Sequence, residues 1–354
     1  MWPLRKRWLG KNKSFYTTLF LTAIGQTELR EIEKPIPGPD EVLLKIGMVG
    51  FCGGDLNGFK GLFELQEYPN VLGHEVGGTI EQMGNKVPTT FKIGNKVTVY
   101  PYLNCGKCIS CRKGRRNACQ DNKTMGVRRP GAMTHYITIH WQDLFVSFQL
   151  SLKELALVEP LTVGFHAAAR GRISSQDRVA VIGCGIVGMG AIASAVNRGA
   201  EVIAIDIDDS KMEIAKKIGV AHTINTSKEN LHDALMRITH GDGPDVIIEA
   251  VGNAITYRAA VEEVAYTGRV VCIGYAKSPV EFNTGLFVRK EIEIIGSRNC
   301  TDEFPEVIAY LEAGKFPVQE VISKVVSLND AGDALAGWAK DAKGITKIMV
   351  DFNL

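Results

Sequence analysis

Length, composition and charge limit what this chain can be. Its 354 residues are too many for one ordinary hydrophobic core, so at least two domains are expected. A formal net charge of +2 and a mean hydropathy of +0.01 give no general attraction to nucleic acid or to an acidic membrane. No apolar run approaches the roughly 20 residues that a membrane-spanning helix needs. We therefore expect a globular protein with neither a nucleic-acid nor a membrane partner.

The first residues, MWPLRKRWLGKNKSF, are basic and precede an apolar stretch. This order loosely resembles a signal peptide, but threonines interrupt the apolar part and no clear cleavage site follows. We therefore interpret residues 1–15 as a basic tail before a first strand, TTLFLTAIG. Four of the eight cysteines lie in one loop and the others are mostly in apolar runs, which fits a reducing cytoplasm better than a disulfide framework.

The pattern of apolar and polar residues changes near residue 160. Before it, short β-type runs such as EVLLKIGMVGF and MTHYITIH are punctuated by Gly and Pro, which predicts a β-rich domain with long loops. From about residue 177, nearly continuous apolar runs alternate with amphipathic helical segments, which is typical of a parallel sheet covered on both faces. SLKELALVEPLTVGFHAAARG and EFPEVIAYLEAG have helical spacing, and KIMVDF is a strand-like end. The pattern predicts an α/β protein.

A dinucleotide site is predicted where RVAVI runs into GCGIVG at residues 183–188 and then into a helix of small residues. In this context Gly183 permits the turn, Gly185 lets backbone amides approach a pyrophosphate, and Gly188 lets the helix pack on the sheet. The positive end of the helix dipole then faces the diphosphate. The next apolar run ends in Asp206, whose carboxylate suits both ribose hydroxyls of NAD and repels the 2′-phosphate of NADP.

A metal set is suggested by GFCGGDL, NVLGHEVGG and EPLTVG, which contain Cys52, His74 and Glu159. Each residue alone has an ordinary structural explanation. Together, Cys, His and Glu form a plausible three-ligand zinc set with one open position. Asp55 suits a supporting role that fixes the imidazole tautomer of His74. Beside a nicotinamide, a zinc ion would polarise an alcohol and stabilise the alkoxide from which hydride leaves.

A second metal site is predicted in CGKCISCRKGRRNAC, residues 105–119. The interval before the last cysteine is too long for the usual iron–sulfur pattern, and disulfides or a nucleic-acid-binding zinc module fit the composition poorly. Four thiolates around zinc make a closed site with a structural role, and the basic side chains between them partly offset its negative charge. The ligands would be the four thiols of this loop: Cys105, Cys108, Cys111 and Cys119.

In order, these motifs together with KEIEIIGSRN resemble the zinc-dependent medium-chain alcohol and polyol dehydrogenases over nearly all the chain from residue 16. The resemblance implies a GroES-like catalytic domain (16–160), a Rossmann NAD-binding domain (161–295) and a return to the catalytic domain (296–354). It implies that Cys52, His74 and Glu75 hold the catalytic zinc, with Glu159 as a direct or water-mediated fourth partner. The cofactor-binding residues that we predict are Gly183, Gly185, Ile186, Val187, Gly188, Asp206, Ile207, Lys211, Val251, Gly252, Ile273, Ser297, Arg298 and Val163.

Three positions depart from the family pattern. The family commonly has Ser or Thr two residues after the cysteine ligand to pass on the substrate proton, whereas this chain has Gly54. We therefore expect water, Glu75 or Glu159 to carry the proton. In RRPGAMTHY, Pro130 and His135 replace acidic residues of the relatives. We interpret His135 as a surface or supporting residue rather than a base.

The stretch GSRN resembles dehydrogenases of hexonates such as L-galactonate or L-gulonate. By position, Arg298 should lie near the nicotinamide, where its guanidinium suits a carboxylate or paired hydroxyls, although it could instead contact only the cofactor or backbone. The leading hypothesis is NAD-dependent oxidation of a secondary hydroxyl on a sugar acid. A sorbitol-like or general secondary alcohol dehydrogenase, or a non-catalytic nucleotide-binding relative, are the alternatives. The family implies a homo-oligomer, a dimer or tetramer.

Overall fold

The computed structural model describes residues 14–354, so the predicted basic tail lies, up to residue 13, outside the described residues. The strands within this range, in chain order, are β1 (Phe15–Ala23), β2 (Gln26–Glu33), β3 (Glu41–Gly50), β4 (Asn70–Val71), β5 (Glu75–Met83), β6 (Lys96–Val99), β7 (Tyr102–Leu103), β8 (Lys123–Thr124), β9 (Tyr136–His140), β10 (Leu144–Val146), β11 (Arg178–Ile182), β12 (Glu201–Asp206), β13 (His222–Asn225), β14 (Val246–Glu249), β15 (Arg269–Cys272), β16 (Glu293–Gly296), β17 (Ile322–Ser327) and β18 (Lys347–Asp351). The α-helices are α1 (Gly53–Phe59), α2 (Ile109–Arg112), α3 (Leu152–Arg170), α4 (Ile186–Asn197), α5 (Asp209–Ile218), α6 (Leu231–Ile238), α7 (Ala254–Glu263), α8 (Gly285–Lys290), α9 (Phe304–Glu312), α10 (Val318–Val321) and α11 (Ala331–Lys340).

The N-terminal part is built from β-sheets, as its short apolar runs predict. A seven-stranded sheet has the order β10-β6-β5-β3-β18-β17, with β9 also paired to β3, and a smaller sheet has the order β2-β1-β4. The last two strands come from the C-terminus, and β18 pairs antiparallel with β3. Side chains of both sheets and of helix α11 form one buried apolar cluster. The chain therefore returns to this part after the second sheet is complete.

The second sheet is six-stranded and parallel, with the order β13-β12-β11-β14-β15-β16. This is the strand order 3-2-1-4-5-6 of the Rossmann fold, so the predicted doubly wound sheet is confirmed. Its central strands β11, β12, β14 and β15 are largely buried on both faces, because separate apolar clusters cover the two sides. The order reverses between β11 and β14, which makes the carboxyl ends of these two strands the expected ligand crevice.

Helix α3 connects the two sheets. Ser151 begins it with a capping box to Glu154, and most of its residues are buried. It packs on helix α4 so closely that a Cβ atom on Gly164 would lie 2.1 Å from the backbone nitrogen of Ala191. The domain boundary predicted near residue 160 therefore falls inside a buried helix, and the domain limits given above stay a prediction.

A search of residues 14–354 for membrane spans finds no helix with the length and apolar character needed to cross a bilayer.

Candidate active site

The structure brings Cys52, His74 and Glu75 together, since their ligand atoms all lie within 4.8 Å of one another. Cys52 is the N-cap of helix α1, and its sulfur accepts a hydrogen bond from the amide of Gly54. His74 ends the loop before β5 and Glu75 is the first residue of that strand, so the strand fixes both. His74 and Glu75 are buried and Cys52 is half-buried. A Cys, His and Glu donor set of this size suits a zinc ion with one position left for substrate.

Asp55 supports this group differently from the prediction. One carboxylate oxygen accepts a hydrogen bond from the amide of Cys52 at 2.8 Å, and the other lies 3.5 Å from the amide of Gly73. Within the described residues it forms no hydrogen bond with His74, whose buried Nδ1 has no partner. The predicted tautomer contact is therefore replaced by a capping box, in which Asp55 holds the backbone of the cysteine.

Negative charge is concentrated around the imidazole. Burial acts to lower the pKa of His74, but the neighbouring Cys52, Asp55 and Glu159 raise it well above its ordinary value. For the two carboxyl groups, Asp55 and Glu159, burial raises the pKa, and in both cases the charge of His74 opposes the rise. A buried cluster of anionic donors needs a compensating cation, which a divalent metal supplies.

Glu75 already has one cationic partner, which the sequence did not indicate. Both of its carboxylate oxygens lie 2.7 Å from Nζ of Lys347, which also donates to the carbonyl of Phe51 at 2.9 Å. The two side chains are 0% and 1% exposed. Lys347 begins β18, so its partner lies far away in the sequence and no local pattern could reveal it.

Glu159 lies on helix α3, outside the group of three ligand atoms that lie within 4.8 Å of one another. Its Oε1 accepts a hydrogen bond from the hydroxyl of Tyr102, another residue that sequence reasoning did not single out. Burial raises the pKa of Tyr102, and the charge of Glu159 adds to the effect, so the phenol stays a hydrogen-bond donor. The position suits the indirect rather than the direct role predicted for Glu159.

Gly54 and His135 are two of the three positions that depart from the family pattern, and the structure shows what surrounds each. Among residues 14–354, a Cβ atom on Gly54 would contact only the sulfur of Cys52, at 3.7 Å, so there is room for the hydroxyl residue that the family pattern predicts there. His135 is half-buried and packs between the rings of Tyr16 and Phe352, at centroid distances of 5.9 and 5.5 Å. Burial lowers its pKa. These contacts give His135 a packing role.

The four thiols of the loop 105–119 converge on one point, with their sulfur atoms within 4.8 Å of one another. Sγ of Cys108 lies 3.5 Å from that of Cys111 and 3.9 Å from that of Cys119. A tetrahedron with zinc–sulfur bonds of about 2.3 Å has edges of about 3.8 Å, whereas a disulfide needs about 2.05 Å. Backbone amides donate to the sulfurs and lower the pKa of the Cys108 thiol. This geometry fits a closed zinc site.

The glycine-rich turn lies between β11 and α4 as predicted from its spacing. Gly183 has a φ of 99°, in the left-handed region that favours glycine. A Cβ atom on Gly188 would lie 1.8 Å from the carbonyl oxygen of Gly183, whereas one on Gly185 would meet no described residue within 4 Å. The middle glycine, which is the N-cap of α4, therefore faces open space where a phosphate can approach the helix N-terminus.

The other predicted cofactor residues follow the carboxyl ends of the parallel strands, at the edge where such sheets bind ligands. Val251 and Gly252 follow β14, Ile273 follows β15, and Ser297 follows β16. Glu249, which was not predicted, accepts hydrogen bonds from the amides of Val251 and Gly252 and so fixes that loop. Ile186 and Val187 begin α4, Lys211 lies in α5, and Val163 lies in α3.

Asp206 ends β12 and is held by three backbone amides. One carboxylate oxygen accepts from Cys184 of the glycine-rich turn at 2.7 Å, and the other accepts from Ile207 and Asp208 at 2.8 and 3.0 Å. The carboxylate is thus fixed beside the turn. Ile207 itself is 70% exposed, so it presents an apolar surface where a 2′-phosphate would need a cation.

Arg298 lines a small cleft with residues from both halves of the chain, including Asn122, Thr124, Arg128 and Tyr275. It is half-buried, and its guanidinium has no hydrogen-bond or ion-pair partner among the residues that the structure describes. Two residues later Cys300 is fully buried, and burial together with the charge of Glu159 raises the pKa of its thiol well above the ordinary value. The segment that carries Arg298 therefore approaches Glu159 on helix α3.

Comparison with known proteins agrees with this geometry. Residues 38–148 match the alcohol dehydrogenase GroES-like domain and residues 187–313 match the zinc-binding dehydrogenase family. The chain is 33% identical to sorbitol dehydrogenase of Bacillus subtilis, covering 89% of this chain and 92% of that protein. It is 32% identical to L-galactonate-5-dehydrogenase of Escherichia coli, covering 83% and 86%. A solved Escherichia coli alcohol dehydrogenase in complex with NADH superposes with a TM-score of 0.88 at 27% identity, covering 96% and 100%.

Both the motifs and the fold thus lead to one assignment. The expected GroES-like and Rossmann-type halves are confirmed, as is the expectation of an enzyme that uses zinc and a nicotinamide cofactor. The chain belongs to the zinc-dependent medium-chain alcohol and polyol dehydrogenase family.

Proposed function

We propose that this enzyme oxidises a secondary hydroxyl of a sugar acid, a hexonate such as L-galactonate or L-gulonate, and transfers the hydride to NAD. The observation that carries the proposal is the half-buried guanidinium of Arg298, which has no partner among residues 14–354. A cation withdrawn from water without an acidic neighbour is unfavourable unless a ligand supplies the anion. The likeness to L-galactonate-5-dehydrogenase supports the same substrate class.

Around the reacting hydroxyl, Cys52, His74 and Glu75 would hold the zinc ion. When bound, zinc lowers the pKa of the substrate hydroxyl and stabilises the alkoxide. Lys347 keeps Glu75 in place, and the phenol of Tyr102 holds Glu159 beside the group. Both oxygens of Glu75 face Lys347, so Glu159 or water is the better placed of the proposed proton acceptors.

The preference for NAD rests on Asp206, whose fixed carboxylate would accept the ribose hydroxyls and repel a 2′-phosphate. Arg298, on the segment after β16, and Lys211, in α5, are the two cationic residues among the predicted cofactor contacts. We further propose a cytoplasmic homo-oligomer, a dimer or tetramer. All eight cysteines are free thiols, and Ile294 of the edge strand β16 is 46% exposed.

A substrate panel with an arginine variant tests the proposal. Hexonates, alditols of the same length and simple secondary alcohols are compared by the formation of NADH. We expect Arg298→Ala to raise the KM for hexonates by about ten- to a hundredfold, because a hydrogen bond to a charged group contributes roughly 1.5–3 kcal/mol. The KM for alditols should stay within about twofold.

Arg237→Ala is the matched control, since this arginine is exposed and pairs with Glu229 at 2.9 Å. If Arg298→Ala left hexonate turnover untouched, the acid preference would lose its basis. A neutral polyol, as for sorbitol dehydrogenase, would then be the better assignment. A simple secondary alcohol is the further enzymatic alternative, and a protein that binds dinucleotide but turns over nothing in the panel would be a non-catalytic relative.

A further inference from the structure

A buried asparagine connects the four-thiol loop to the segment that carries Arg298. Asn117 lies between Cys111 and Cys119 and is 1% exposed. Its Nδ2 donates to the carbonyl oxygen of Arg298 at 2.7 Å and lies 3.0 Å from Nε2 of His166. A carbonyl oxygen can only accept, so the amide nitrogen must face Arg298. The two N–H groups of this one side chain are therefore both used.

The chain of hydrogen bonds continues from Asn117 through His166 to Glu303. Because Nε2 of His166 accepts from Asn117, the ring carries its proton on Nδ1 and donates it to Oε1 of Glu303 at 2.6 Å. The other oxygen of Glu303 accepts from the amide of Thr301 at 2.6 Å. Burial acts to raise the pKa of Glu303, but its bond to His166 keeps the pKa below the ordinary value, so the carboxylate remains an acceptor.

The loop makes a second contact with the same segment. Arg116 donates to the carbonyl oxygen of Thr301 at 3.1 Å and its guanidinium lies 4.5 Å from the ring centroid of Tyr100. Between the two anchored carbonyls, Asn299 has a φ of 51°, an uncommon conformation for a residue with a side chain. The backbone of residues 298–303 is therefore held from the four-thiol loop and from helix α3, whereas the guanidinium of Arg298 has no partner within the described part of the chain.

We propose that Asn117 is a positioning residue for substrate recognition: it fixes the backbone of Arg298 so that the guanidinium faces the cleft. This inference rests on the proposed function, in which Arg298 binds the carboxylate of the substrate. It gives the four-thiol loop a task beyond stabilising its own fold, since the loop sets the geometry of the anion site. Loss of the Nδ2 donor should therefore weaken binding of the charged substrate and spare the neutral one.

The test uses the zinc-loaded enzyme and the variants Asn117→Ala, Arg298→Ala and the double variant. We expect Asn117→Ala to raise the KM for a hexonate by roughly tenfold, the effect of one lost hydrogen bond to a well-ordered partner. The KM for the matching alditol and both kcat values should stay within about twofold. In the Arg298→Ala background, Asn117→Ala should add nothing to the hexonate KM, because coupled residues are not additive. Asn117→Asp, which keeps the size but removes the donor, should reproduce the result if the alanine variant does not fold.

Hydrogen exchange gives a readout independent of turnover. A peptide covering residues 297–303 should exchange faster in Asn117→Ala, with the zinc content unchanged. Asn230→Ala is the stability-matched control, since it removes an exposed helix cap that accepts from Asp233. Equal KM increases for hexonate and alditol, or an undiminished increase in the Arg298→Ala background, would overturn the inference. If Arg298→Ala alone left the hexonate KM unchanged, the proposed acid preference would fail, and exchange at 297–303 would decide the positioning role by itself.

Discussion

The buried ion pair between Glu75 and Lys347 shows how single residues set the chemistry of this site. A carboxylate that is 0% exposed is strongly unfavourable without a partner, and Lys347 supplies one at 2.7 Å. Glu75 can then approach a cation with its charge already partly balanced. The motif GHE marks Glu75 in the sequence, but Lys347 is 272 positions away and only begins an apolar strand. Such a pair depends on the pairing of β18 with β3, which local patterns do not encode.

Replacing Lys347 tests how much the buried ion pair with Glu75 contributes to stability. We expect Lys347→Met to lower the free energy of unfolding by about 3–5 kcal/mol, because it leaves a buried carboxylate unpaired. Adding Glu75→Gln should restore part of the loss, since the amide carries no charge. Urea unfolding at one fixed zinc concentration measures both effects. A Lys347→Met protein as stable as the parent would mean that the pair contributes nothing to the fold.

At the scale of elements, the apolar periodicity predicted most of the architecture. The runs RVAVI, EVIAID, VIIE and RVVC are parallel strands, and the segments from Leu152, Ile186 and Phe304 onward are helices. Strand β13 and helix α6 were missed, because His222–Asn225 is a short edge strand whose outer residues are polar. Helix α7 ends at Glu263 because Val264 adopts an extended backbone. The contact between α3 and α4 was invisible in the sequence, although it joins the helix of Glu159 to the helix of the glycine-rich turn.

The crossing of α3 and α4 should tolerate no side chain at Gly164. We expect Gly164→Ala to lower the free energy of unfolding by about 1–3 kcal/mol, since the new Cβ atom would lie 2.1 Å from backbone and force the helices apart. Affinity for NADH, followed by fluorescence, should fall as well. Gly337→Ala is the control: no atom of residues 14–354 lies within 4 Å of the Cβ position of this helical glycine, so the same change there should stabilise by roughly 0.5–1 kcal/mol. Equal effects at both positions would refute a close-packed crossing.

At the scale of the whole molecule, the two halves meet along helix α3. Helices α3 and α4 touch at Gly164 and Gly190. Glu159 lies five residues before Gly164, and Gly185 lies five residues before Gly190, which is about 7 Å of helix in each case. Glu159 and the nucleotide turn are therefore carried by one closely packed helix pair. Asn117 of the four-thiol loop is bonded to the backbone of Arg298, which lines a separate small cleft. The motifs predicted the group of Cys52, His74 and Glu75, which the structure brings together, and the position of the glycine-rich turn between β11 and α4. These motifs could not anticipate Tyr102, Asn117, Glu249 or Lys347, whose roles depend on contacts between distant segments.

One measurement tests the central claim most directly: anomalous diffraction at the zinc edge from crystals grown with NAD. We predict two zinc ions per chain, one among the four thiols and one held by Cys52 and His74. We also predict that the nicotinamide ring lies close to the second ion. The carbon of a substrate alcohol bound there would then be about 3–3.5 Å from the ring. A chain without metal at Cys52 and His74, or a nicotinamide ring pointing away from them, would contradict the account.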